Sequence, residues 1–182
     1  MACQPHPRLE NKKFFDIDSL VSAQILLLAE KKPELRKEAL IEFDSSSVTT
    51  VPADSAAWAI ELDIFRQLDL INKPVNRDNY EVQDNTPDPT SNLKICSYTA
   101  RKDIPLSFLR IYYAGRKENI RKIEGLYKEQ NALYASSRFL TLELNKVYND
   151  IGLINYSIEG GQKMILGDST TFRITGVVKY TH

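Results

Sequence analysis

Val147-Tyr148-Asn149-Asp150-Ile151-Gly152-Leu153-Ile154-Asn155 is the stretch on which the fold turns, because a related one, Ile64-Phe65-Arg66-Gln67-Leu68-Asp69-Leu70-Ile71-Asn72, stands 83 residues before it. Read as a helix end, each copy closes an amphipathic run. Each then leads through a polar interval to a strand-like piece, Tyr80-Glu81-Val82-Gln83 in the first and Phe172-Arg173-Ile174-Thr175 in the second. On this reading Gly152 stops the second helix in the left-handed conformation that glycine adopts most easily, and Asp69 holds that place in the first. The repeat predicts two related lobes in tandem, each a set of helices closed by a β-ribbon. The competing reading is a single α+β domain without duplication.

Working outward, Asp16 or Asp18 caps a helix starting near Ser19, with Leu20, Val21, Ala23 and the run Ile25 to Leu28 around most of its circumference. Pro33 suits the first turn of a second helix over 34–43. Residues 44–53 read as a loop with a short β segment at 47–51. Asp54 or Ser55 caps a third helix with Ala57, Ile60, Ile64 and Leu68 in phase. The Pro-, Asn- and Asp-rich stretch 72–92 reads as a wing around Tyr80 and then a linker, 85–92. Leu93 to Thr99 opens the second lobe as a short strand. Helices follow from Pro105, with Leu106, Leu109 and Tyr112; over 116–133, with Ile120, Ile123 and Tyr127; and from Ser136 or Ser137, with Leu140, Leu144, Val147 and Ile151. The tail alternates as a ribbon: 154–158, a turn at 159–161, 163–166, a turn at 167–169, and 171–180.

At 182 residues, 42% hydrophobic and 26% charged, the chain has the composition of an ordinary folded protein with room for two lobes of this size. No apolar run approaches the ~20 residues of a spanning helix, no secretory leader is legible, and no membrane is expected. Two cysteines, Cys3 and Cys96, make no disulfide framework, so a reduced, cytoplasmic setting is the expectation. The formal net charge is zero, yet residues 1–100 carry 11 basic against 16 acidic side chains and residues 101–182 carry 13 against 8.

Little in the chain suggests catalysis. His6 and His182 stand near the ends, no Ser-His or Cys-His dyad can be built on them, and no His/Cys cluster has metal-ligand spacing. Gly160-Gly161 lacks the lysine and the following helix of a phosphate loop. No catalytic residue, metal or cofactor is expected. The remaining charged feature is the set Arg110, Arg116, Lys117, Arg121, Lys122 and Lys128, interleaved with tyrosines, which forms a candidate patch for a partner or for nucleic acid. Leu20, Leu27 and Trp58 form a second candidate, an apolar surface in excess of what a small three-helix lobe covers and therefore a self-association site.

The helix-corner-ribbon repeat resembles tandem winged-helix proteins, in particular the accessory subunits that bind the kleisin bridge of chromosome-maintenance ATPases and the small middle components of bacterial ABC-type defence systems. Leu68-Asp69-Leu70-Ile71-Asn72 and Ile151-Gly152-Leu153-Ile154-Asn155 carry the resemblance, with the ribbon at Phe172-Arg173-Ile174-Thr175. It implies an α+β, mainly helical fold of two winged-helix-like lobes, 14–84 and 93–180, with terminal β-ribbons, the second the longer. It also implies a non-enzymatic adaptor or accessory subunit that dimerises and binds a larger protein subunit. The alternative is a DNA-binding regulator acting through the basic patch. The presumed reading helices present Glu61, Asp63 and Asp69 in one lobe and Glu143 and Asp150 in the other, so any nucleic-acid binding is expected to be weak and without sequence specificity.

Overall fold

The computed structural model describes residues 12–164 and 167–180; Cys3, His6, His182 and two residues of the expected ribbon, Ile165 and Leu166, lie outside them. The described chain is dominated by one antiparallel sheet, and this overturns the mainly helical, winged-helix reading. The elements in order are α1 (Ile17–Lys31), β1 (Glu34–Ile41), β2 (Asp44–Thr50), α2 (Ser55–Leu62), a 3-10 helix (Asp63–Asn72), then β3 (Tyr80–Pro87), β4 (Lys94–Ala100), β5 (Leu106–Tyr113), β6 (Ile120–Gln130), β7 (Tyr134–Val147), β8 (Asp150–Met164) and β9 (Ser169–Lys179). The sheet has nine strands in the order β2-β1-β9-β8-β7-β6-β5-β4-β3. The meander β3 to β9 is thus completed by the hairpin β1–β2, which pairs with the last strand. Residues 85–92 are the end of β3 and the turn into β4.

The two copies of the repeated stretch are different objects. Ile64 to Asn72 belongs to the 3-10 helix, whereas Val147 to Asn155 runs through the tight turn between β7 and β8. Gly152 is no helix stop. A Cβ there would lie 2.8 Å from the Tyr180 hydroxyl, which donates to the Leu153 carbonyl at 3.0 Å. Asp69 is not a stop either. Its carboxylate accepts from the Ile17 amide at 3.0 Å and from Asn72 Nδ2 at 2.9 Å, so the 3-10 helix helps to cap α1, alongside Asp16, which accepts from the Ser19 amide.

Four stretches expected as helices are strands; in β5 and β6 the cause is a β-bulge, and in β7 it is that alternate residues four apart, Leu140 and Leu144, also fit a helical turn. A bulge between Leu106 and Phe108 places Leu106 and Leu109 on one face of β5. A second, opposite Tyr112 and Tyr113, does the same for Ile120 and Ile123 of β6, and a third at Glu143/Leu144 does so for Leu153 and Tyr156 of β8. All six are buried. Each bulge turns a spacing of two into a spacing of three, which mimics one helical turn. In β1 the mimicry comes from propensity: Glu-Leu-Arg-Lys-Glu-Ala-Leu is rich in helix formers, yet pairing with β9 and β2 on its two sides overrides it.

Two adjacent rows of the register show how alternation builds the fold. Val82, Tyr98, Leu109, Gly125, Leu140, Ile158, Ile174, Ala39 and Ser46 lie opposite one another in turn across all nine strands, an almost wholly apolar inner row. The next row, Gln83, Ser97, Arg110, Glu124, Thr141, Ser157, Thr175, Glu38 and Ser47, is polar throughout and points to the other side. The helices lie on the inner face. Leu68 of the 3-10 helix stands over Gly125, α2 presents Glu61 to the Tyr156 hydroxyl at 2.8 Å, and Gln24 of α1 bonds the backbone of β8. Their apolar sides, with Ile17, Val21, Ile25, Leu28, Trp58, Leu62, Phe65, Leu68 and Ile71, complete a single core with the inner row.

Candidate binding surfaces

The outer face holds part of the expected basic patch, rearranged by the strands. Arg110 on β5 and Lys122 on β6 flank Glu124. Arg110 Nη1 lies 3.3 Å from one carboxylate oxygen, Lys122 Nζ lies 2.9 Å from the other, and the Tyr112 hydroxyl donates to the first at 2.6 Å. The Lys122 ammonium also stands 4.0 Å from the centre of the Tyr112 ring, and the Arg110 guanidinium 4.7 Å from that of Phe108. Glu124 is only 7% exposed although it sits on an uncovered face, because these side chains close over it. Burial alone would raise its pKa; the hydrogen bonds from Tyr112, Lys122 and Arg110 and the Lys122 charge outweigh that and hold it below the ordinary carboxylate value. Burial, then Glu124, pushes the Tyr112 phenol up to about 12.

The rest of the patch is dispersed. Lys117 sits in the β5–β6 turn and pairs with Asp84 of β3; Arg116 is exposed beside it. Arg121 is the extra residue of the β6 bulge, and Lys128 is exposed near the far end of that strand. Three of the six cations are therefore neutralised by carboxylates, an arrangement that stabilises a sheet face and leaves less charge for phosphate. Among the described residues, no group of three or more His, Cys, Asp or Glu could hold a metal. Nor, among the same residues, is any helix long and apolar enough to cross a membrane. Cys96 is a buried thiol on the inner face, its pKa raised chiefly by burial.

The apolar candidates fare differently from one another. Trp58 is fully buried, packed in the core, and Leu20 and Leu27 are half-buried. The apolar surface of α1 packs against α2 and the 3-10 helix as well as against β8 of the sheet, and Leu26 alone of its leucines stays strongly exposed.

The surface missed in the sequence is the β1–β2 flank. Leu40, Ile41, Phe43, Val48 and Val51 are all exposed there, Phe43 to 96%. The hairpin joins its strands through Glu42 and Phe43, with Ile41 opposite Asp44 and Glu42 at φ +55. Beside it, a cleft of about 380 Å³ runs over β2, β1 and β9, lined by Leu40, Ser45, Ser47, Arg173 and Thr175 among others. β2 is an edge strand whose seven residues are all exposed. The one signal for this surface was the short β segment read at 47–51, but its place at the sheet edge depends on the pairing of β1 with β9, more than a hundred residues away. The chain matches no protein-family model, and no curated protein or solved structure matches it at a significant level.

Proposed function

We propose that this chain is a non-enzymatic protein-assembly module, an adaptor whose docking surface is the β1–β2 flank of its sheet. The observation that carries the reading is the exposure of five apolar side chains, Leu40, Ile41, Phe43, Val48 and Val51, on the two faces and at the ends of one hairpin, whose outer strand β2 is, among the described residues, paired on one side only. Exposed apolar clusters mark interaction sites, and an open edge accepts another extended strand through main-chain hydrogen bonds. The flank adds binding elements without disturbing the core, which lies on the inner face beneath the helices.

A photo-reactive phenylalanine analogue placed at Phe43, and separately at Ile60 and Val75, tests the reading. Ile60 and Val75 are also strongly exposed but stand elsewhere, on α2 and in the loop after the 3-10 helix. Protein adducts concentrated at position 43 are expected. Adducts spread evenly over the three positions, or absent from position 43, would refute the assignment of the flank.

A further inference from the structure

β2 pairs with β1 on one side and is the outermost strand of the sheet. Its sequence, Asp44-Ser45-Ser46-Ser47-Val48-Thr49-Thr50, has no lysine, no proline and no bulge in its pairing to close the edge, and its one charge, Asp44, stands at the end beside the turn. The opposite edge is closed. β3 carries a bulge between Gln83 and Thr86, Asn85 at φ +59, Pro87, and the Asp84–Lys117 ion pair. Head-to-tail pairing of β2 with another molecule's β3 is thus obstructed, and it would build an open filament where β2 against β2 closes on itself.

We propose that the occupant of this edge is a second copy of the chain, with the two β2 strands antiparallel about a twofold axis through Ser47. The proposal rests on the reading of the flank as the docking surface and names its partner. Symmetry limits the register. A twofold axis normal to the sheet keeps every side chain on its own face, so a residue must lie opposite one of the same parity. Of the registers that obey this, only Ser47 opposite Ser47 pairs the whole seven-residue strand. Asp44 then faces Thr50, Ser45 faces Thr49 and Ser46 faces Val48, so no like charges meet and every side chain at the seam is small. One step beyond the strand, at both ends of the seam, Phe43 of one copy comes opposite Val51 of the other, 96% and 53% exposed in the single chain. The polar outer row, which ends at Ser47, runs on through the axis into the second sheet.

Single-cysteine scanning of the full chain, in a Cys3→Ser background with Cys96 left buried, tests both the dimer and its register. Ser47→Cys is expected to form a disulfide-linked dimer under mild oxidation, because directly opposed residues have Cα atoms within disulfide reach. Ser45→Cys or Thr49→Cys alone should cross-link at least about tenfold less, since each lies about 13 Å along the strand from its symmetry mate. A mixture of Ser45→Cys and Thr49→Cys chains should recover the cross-link. Ser47→Lys should sediment as a monomer with an unchanged far-ultraviolet circular dichroism spectrum. A wild-type chain that stays monomeric at about 100 µM, or cross-linking that does not distinguish positions 45, 47 and 49, overturns the proposal. If the chain is monomeric while position 43 still gives adducts with another protein, self-pairing falls and the docking reading stands; loss of both removes both.

Discussion

Leu68 rests on Gly125 so closely that its Cδ2 lies 2.6 Å from the point where a Cβ on that glycine would stand, with the Phe108 carbonyl oxygen 3.0 Å from the same point. Gly125 is the one residue of the inner row, between Leu109 and Leu140, that has no side chain. The 3-10 helix docks on the sheet through that gap.

Gly125→Ala therefore forces Leu68 or the 3-10 helix to move, and is expected to destabilise the fold by about 1–3 kcal/mol in urea denaturation. Leu68→Ala should cost about 2–5 kcal/mol by itself. The double variant should be more stable than the sum of the two losses implies, because the clash and the packing belong to one contact. Simple additivity would show that the two residues do not meet.

Gln24 is a polar residue buried at the helix–sheet boundary, 6% exposed. Its Nε2 donates to the Ile151 carbonyl at 2.9 Å and its Oε1 accepts from the Leu153 amide at 2.8 Å, on a part of β8 beyond the last pair with β9. Gln24→Ala leaves both backbone groups without that partner and should cost about 1–3 kcal/mol. Hydrogen exchange checks it locally: the Leu153 amide should exchange faster, and unchanged protection there would show that the glutamine is not what holds β8 to α1.

Glu124 links stability to acid. Its carboxyl is held below its ordinary value of 4.5 in the folded chain, so the ionised form stabilises the fold above that pH and the contribution disappears as pH falls through the depressed folded value. Glu124→Gln should lose stability at neutral pH, where Arg110 and Lys122 lose their counter-charge, and should show a flatter stability curve below about pH 4.5 than the wild type. Equal slopes for both proteins in acid would contradict the linkage.

Glu42 is the first residue of the β1–β2 turn and holds φ +55, a conformation that favours glycine. Its side chain is exposed, so little packing opposes a change. Glu42→Gly removes a strain of about 1–2 kcal/mol against an added chain entropy of about 0.5–1 kcal/mol, for an expected net gain of about 0.5–1 kcal/mol in thermal unfolding. A loss of stability would show that the turn carries no such strain.

Several local features were legible in the sequence. Asp16 and Asp54 cap α1 and α2, whose helices lie where an apolar period follows a capping residue. β3, β4 and β9 carry the Tyr80, Leu93-to-Thr99 and 171–180 segments read as strands, and Leu68 of the apolar period is buried as assigned, whereas Ile60 of the same period is exposed and Trp58, read as a self-association residue, is core. These depend on residues within a turn or two of one another, where backbone propensity and hydrogen-bonding chemistry decide.

The central strands and the docking flank depend on distant partners. Leu106 with Leu109, Ile120 with Ile123 and Leu153 with Tyr156 share a face only because a bulge inserts one residue between them, and a bulge is defined by the neighbouring strand. Alternation at Leu140, Leu142 and Leu144 was the undisturbed signal, and it fitted the helical spacing of Leu140 and Leu144 as well. By itself the sequence determined the caps, the short-range turns and which residues are apolar. The tertiary structure decided that β1 becomes a strand by pairing with β9, that Glu124 is buried on a bare face by its neighbours, and that β2 is left as an open edge. Each of those outcomes requires groups far apart in the chain to meet, and local propensity carries no information about which of them do.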